Sequence, residues 1–157
     1  MRGLLSIALL LPLVSVIPAF AQDMSHVPDP ATLERLRGDE LRAAYSGKTI
    51  YGVYKNPTSR SVTKQFTETM GANGTTDYRE GDSRSGGIWY IENDQMCFEY
   101  DEQGRAFAHC FYEFRSGSCL YSYDNVTFAG DAPLNPANWG SKSVANGDYS
   151  TCEDYYG

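Results

Sequence analysis

Histidine is almost missing from this chain: His26 and His109 are the only two among 157 residues. Beside four cysteines that leaves no ligand set spaced for zinc. Asp77, Glu80 and Asp82 around Gly81 lack the spacing of an EF-hand loop. No metal or other cofactor is therefore expected. A Gly-x-Ser-x-Gly elbow is also absent, so nothing marks a serine nucleophile. Basic charge is scarce, with 13 Lys and Arg against 20 Asp and Glu, a net of −7. That excess argues against nucleic acid or an anionic membrane surface as a partner. Low-complexity segments and long-period repeats are missing as well.

The chain does have an apolar leader. Arg2 precedes an apolar run from Leu4 to Ile17, and Ala19-Phe20-Ala21 supplies a small-x-small cleavage site. The pattern predicts a signal peptide over residues 1–21. A transmembrane anchor fits less well, because Pro12 and Pro18 interrupt a run shorter than the about 20 apolar residues a span requires. No cysteine follows the site to carry a lipid. The expected product is exported, to the periplasm or the extracellular space, without a transmembrane anchor after cleavage. Residues 22–157 suffice for one domain with a modest core. All four cysteines lie there, which suggests two disulfides with three possible connectivities.

Read in order, residues 29–46 form a helical segment. Asp29-Pro30 resembles an N-cap followed by proline at the first helical position. Leu33, Leu36, Leu41 and Ala44 fall near one face, Asp39 is placed to cap a second short helix, and Gly47 ends it. The helix is expected to cover one face or end of a sheet. Residues 47–124 read as antiparallel sheet. Strands are expected at Lys48–Tyr54, Val62–Met70 and Ile88–Glu92, with a polar, glycine-rich loop from Gly81 to Gly87. An Asn73-Gly74 turn of two residues would set Glu68 opposite Arg79. Residues 125–157 read as an irregular tail, rich in Gly, Pro, Asn and Ser, with one further short strand near Lys142 to Ala145.

The centre of the sheet permits a specific register. Two-residue turns at Asn93-Asp94 and Gln103-Gly104 put Trp89 opposite Phe98, and Phe98 opposite His109. Alternation then gathers Trp89, Ile91, Met96, Phe98, Tyr100, Phe107, His109 and Phe111 on one face. The same register sets Cys97 opposite Cys110 at a non-hydrogen-bonded pair, where the Cα atoms lie about 4.5 Å apart, within disulfide range. A four-residue loop would keep that pairing, whereas a three-residue loop would turn the sulfurs to opposite faces. Cys119 and Cys152 are left for a second bridge that pins the tail to the sheet. With Ser116-Gly117 as the next turn, Asp124 lies across from His109. The opposite face carries Tyr90, Cys97, Cys110, Tyr112, Phe114, Cys119, Tyr121 and Tyr123, and calls for a cover or a partner. The fold expected is mainly β, an antiparallel meander forming a small barrel or strongly curled sheet with a short N-terminal helix.

A sparse set of landmarks spans residues 39–112: Glu40-Leu41, Gly47-Lys48-Thr49, Gly52, Gly74, Tyr78, Gly81, Gly87, Trp89, Asn93-Asp94, Cys97, Tyr100 and Cys110. In this the chain resembles a group of small exported proteobacterial proteins that share a domain of unknown function. The resemblance implies a small β domain of the cell envelope and brings no catalytic residues with it. Cys119 and Cys152 lie outside it.

Function is thinly marked. Glu92, Asp94, Glu99, Asp101, Glu102 and Glu113 read mostly as surface charge. Aromatic residues are abundant, with 12 tyrosines alone. A patch of Tyr90, Tyr112, Tyr121 and Tyr123, if uncovered, would suit a protein, glycan or small apolar ligand. The leading expectation is a non-enzymatic domain binding a small apolar ligand or an envelope protein, with Trp89, Phe98, His109 and Asp124 as ligand-binding residues. An alternative is an inhibitor of an exogenous enzyme such as lysozyme, acting through acidic loops at Asp101-Glu102 or Asp77 to Asp82. A hydrolase built on His109 and Asp124 is a third.

Overall fold

A computed structural model describes residues 27–56, 64–102, 105–147 and 152. The chain forms a mainly β structure, an all-antiparallel closed barrel of eight strands with one short helix. Strand β1 (Glu34–Arg35) precedes helix α1 (Gly38–Tyr45). Then follow β2 (Thr49–Tyr54), β3 (Gln65–Met70), β4 (Thr75–Glu80), β5 (Ser83–Glu92), β6 (Gln95–Glu102), β7 (Arg105–Ser116), β8 (Cys119–Asp124) and β9 (Ser141–Ala145). Strands β2 to β8 run as a meander. The tail strand β9 inserts between β2 and β8 and closes the ring, while β1 adds beside the far half of β7.

Turn chemistry sets most of the register. Asn93 and Asp94 both adopt positive φ, as a two-residue hairpin loop requires, and Trp89 pairs with Phe98 as the sequence predicts. Phe98 pairs with His109 and Cys97 with Cys110, so the Cys97–Cys110 bridge forms with Cα atoms 4.1 Å apart; Cys119–Cys152 forms as well, at 5.1 Å. Gln103 and Gly104 themselves lie outside the described residues, as do His26 and the leader.

Three turns differ from expectation. Gly71 N donates to Thr75 O, so the loop between β3 and β4 has three residues, with Gly74 at φ +86°. Asn-Gly fits that bulged geometry as well as the tighter one, and the slip of one residue puts Glu68 opposite Tyr78 instead of Arg79. Next, Gly81-Asp82 alone make the turn between β4 and β5, and Ser83 to Gly87 are strand rather than loop. From Ser83 to Gly86 that strand pairs only with β4, so it carries no apolar alternation to reveal it. Gly87 fits tightly: a Cβ there would lie 2.2 Å from the Glu99 carbonyl oxygen. Lastly, Gly117 is the first central residue of the β7–β8 turn at φ +60°, so Ser116 pairs with Cys119 and Asp124 lies opposite Phe111, not His109.

The N-terminal segment is also less helical than expected. Asp29 caps only a 3-10 turn, Pro30–Thr32, its Oδ1 accepting from Ala31 N at 2.9 Å. Helix α1 starts at Gly38 with Arg37 as N-cap, not Asp39. Glu40 reaches back to accept from Arg37 N at 3.1 Å, and Asp94 accepts from Gly38 N at 3.2 Å. Gly47, at φ +74°, ends the helix as predicted. Leu36, Leu41 and Tyr45 pack with Met70, Trp89 and Met96, which makes α1 the plug of one barrel end.

Outside the barrel lies a second core. Phe128, Leu134, Trp139 and Cys152 from the tail cover Phe114, Cys119, Tyr121 and Tyr123. Tyr123 is fully buried and donates to Pro136 O at 3.1 Å, and Tyr121 meets Trp139 edge to face. Arg35 lies over the Tyr112 ring at 4.6 Å and donates to Gly130 O at 2.9 Å. The outer aromatic face is thus largely the tail's seat.

Candidate functional site

The inward residues of an eight-stranded barrel either fill it or leave room for one small ligand. Two unequal walls leave room here. Strands β3 to β7 turn large side chains inward, among them Phe66, Tyr78, Phe98, Tyr100 and Phe111. Strands β8 and β9 turn in Ser122, Ser141 and Ser143. Gly52 of β2 has no side chain, and the Phe66 ring lies over it: a Cβ there would fall 2.0 Å from Phe66 Cζ. The result is a cavity of about 270 Å³ with Tyr45 of the plug helix among its lining residues. That is just below the about 300–1,000 Å³ typical of small-molecule sites.

The aromatic wall is continuous. Phe66 contacts Tyr54 at 4.8 Å and Tyr78 at 5.9 Å between ring centroids, and Tyr78 contacts Tyr100 at 5.7 Å. Phe98 stacks parallel to Tyr100 at 6.1 Å and meets Phe111 at 6.3 Å.

Three carboxylates are buried in this interior: Glu68, Glu80 and Glu113. Glu68 Oε1 accepts from Tyr100 at 2.5 Å and from Thr76 at 2.7 Å. Glu113 Oε2 accepts from Tyr45 at 2.7 Å and from Ser122 at 3.1 Å. Tyr78 donates to Glu80 Oε2 at 2.7 Å, with the Tyr54 hydroxyl 2.8 Å from its own. Burial disfavours charge, pushing Glu68 up to about 6 and Glu113 up to about 7, although the hydroxyl donors pull the other way. Burial likewise raises the Tyr45 hydroxyl well above its ordinary range, with the Glu113 charge next in effect.

The residues singled out from sequence are distributed unevenly around this space. Phe98 is in the cavity wall and His109 lines it from an exposed position. Trp89 is buried in the core, its Nε1 donating to Gly71 O at 2.8 Å, and is not among the residues that line the cavity. Asp124 is at a strand end, its Oδ1 accepting from Val126 N at 2.7 Å, so the facing His109–Asp124 pair does not form. Asp77 is gripped by Arg84 at 2.7 and 2.8 Å and by Arg79 at 3.1 Å; the Arg84 hydrogen bonds lead in holding its carboxyl below the usual range. Among the described residues, no group of three or more His, Cys, Asp or Glu could hold a metal ion.

Sequence reasoning missed the carboxylates. Glu113 is in phase with His109 and Phe111, and Glu68 with Phe66 and Met70. Alternation alone therefore marks both as inward, but in the sequence Glu113 reads as surface charge and Glu68 as the cross-strand partner of Arg79.

No family model, curated protein or solved structure matches the chain.

Proposed function

We propose that this chain is a small exported binding protein that encloses one compact, largely apolar ligand inside its barrel. The observation that carries the reading is the interior cavity, with aromatic rings on one wall and serines on the other. A packed structural barrel would bring large side chains to both walls. The tail covers Tyr121 and Tyr123, two of the four tyrosines of the outer patch that would suit a protein, glycan or small apolar ligand, which favours the interior instead. The inhibitor alternative draws on acidic loops, but Asp77 lies in strand β4, where Arg79 and Arg84 engage it, and Asp101-Glu102 end strand β6. Two disulfides fit an oxidising compartment, and the apolar leader supports export to the periplasm or beyond. Among the described residues no helix is long and apolar enough to cross a membrane.

The test uses the neutral fluorophore N-phenyl-1-naphthylamine, which brightens in apolar surroundings. Saturable enhancement at one probe per chain is expected. Ser143→Phe, which places a ring in the cavity, should weaken it about tenfold or more, or by about 1.4 kcal/mol. A probe that stays dark with folded wild-type protein sinks the reading.

A further inference from the structure

Among the described residues that line the cavity are Glu68, Glu80 and Glu113, with His109 in the wall and no lysine or arginine. Buried charges are ordinarily paired with opposite ones. Here the donors to Glu68 and Glu113 are neutral hydroxyls, two on one oxygen of each carboxylate. Hydroxyls orient a carboxylate without cancelling its charge. The other oxygens, Glu68 Oε2 and Glu113 Oε1, accept no hydrogen bond among the described residues. Phe66, Tyr78, Phe98 and Tyr100 line the same cavity, and aromatic rings attract cations.

We infer that the ligand is a small organic cation, a protonated amine on a body about the size of one ring, whose nitrogen is received by Glu113 and Glu68 while its body lies against the aromatic wall. This rests on the reading of the barrel as a ligand receptor. An anion would meet the carboxylates of Glu68 and Glu113, and a neutral apolar molecule would leave their open oxygens unpaired. Affinity for the cation depends on pH, because it binds the ionised carboxylates. Glu113 is faced by Tyr45, Ser122 and the charge of Glu68, and Glu68 by Tyr100 and Thr76. Tyr54, Tyr78, Glu80 and His109 complete the titratable lining. Burial raises Glu113 to about 7 and Glu68 to about 6, so amine binding strengthens from pH 5 to pH 8 and expels protons.

The experiment displaces bound N-phenyl-1-naphthylamine with three isosteres: 2-phenylethylamine, 2-phenylethanol and phenylacetate. At pH 8 the amine should compete at a concentration about tenfold or more below the alcohol, and the anion not at all. Glu113→Gln and Glu68→Gln should each erase most of that advantage while the probe still binds. Should neither variant fold, the wild-type chain decides: the advantage must shrink between pH 8 and pH 5, where the amine stays charged and the alcohol is indifferent. An alcohol as effective as the amine, an anion that competes, an amine that fails to displace the probe, or folded Gln variants that keep the full preference each overturns the inference. All four leave probe binding intact, and so differ from failure of the receptor reading itself.

Discussion

At the scale of single residues, Glu113 illustrates how a barrel interior holds a charge-bearing group at a cost in stability. Its ordinary value of 4.5 rises to about 7 in the folded chain. Between those values the folded state binds more protons than the unfolded one. Its contribution to stability is therefore fully present below about pH 4.5 and is lost as pH climbs through about 7. At about 1.4 kcal/mol per unit, that is roughly 3 kcal/mol for Glu113, with a smaller loss of the same sign from Glu68. Glu113→Gln keeps the neutral shape and should flatten this slope. Urea unfolding at pH 8 should show the variant more stable than wild type, and near pH 4.5 the two should agree within about 1 kcal/mol. A wild-type stability that does not fall between pH 4.5 and pH 8 contradicts this account. Phe98 and His109 were legible as neighbours because paired turn rules and alternation locate a side chain. The roles of Glu113 and Glu68 were not, since polarity on an inward position looks the same in sequence as polarity on a surface.

At the scale of elements, the hairpins show what a glycine does and does not specify. Asn93-Asp94 set Trp89 opposite Phe98, and the turn assigned to Gln103-Gly104 extended the row to His109. Gly74 and Gly117 each permitted two turn geometries, and the one chosen moved Glu68 from Arg79 to Tyr78 and Asp124 from His109 to Phe111. Both disulfides were legible, and their consequences differ. Cys97–Cys110 closes 13 residues between strands that are already paired. Cys119–Cys152 spans 33 residues and ties the tail over the outer face. Replacing Cys119 and Cys152 by alanine should cost roughly 4 kcal/mol on the chain-entropy model. It should also red-shift Trp139 emission as the tail loosens from Tyr121. Replacing Cys97 and Cys110 should cost roughly 3 kcal/mol and leave the emission where it is. Equal spectra for the two double variants would show that the tail needs no staple.

For the whole molecule, closure depends on the strand furthest along the chain. β9 pairs with β2 through Ile50 and Ala145 and with β8 through Leu120 and Ser143. Without it two strand edges stand open and the serine wall is gone. A chain ending at Asn135, with Cys119→Ala to avoid a stray thiol, should lose its cooperative thermal transition and its near-UV circular dichroism. Retention of both would mean that the meander alone carries the fold.

The sequence by itself determined the class of fold, the central register, both disulfides and the helix that caps the sheet. These follow from local chemistry: side-chain alternation, turn residues and cysteine pairing act over a few residues at a time. Only the tertiary structure decided that the sheet closes, that the short strand expected in the tail is the one that closes it, and that large and small walls face one another across a cavity. Those outcomes depend on residues far apart in the chain, Gly52 under Phe66 and Ser143 beside Leu120. The empty space between two walls is a property of neither wall alone.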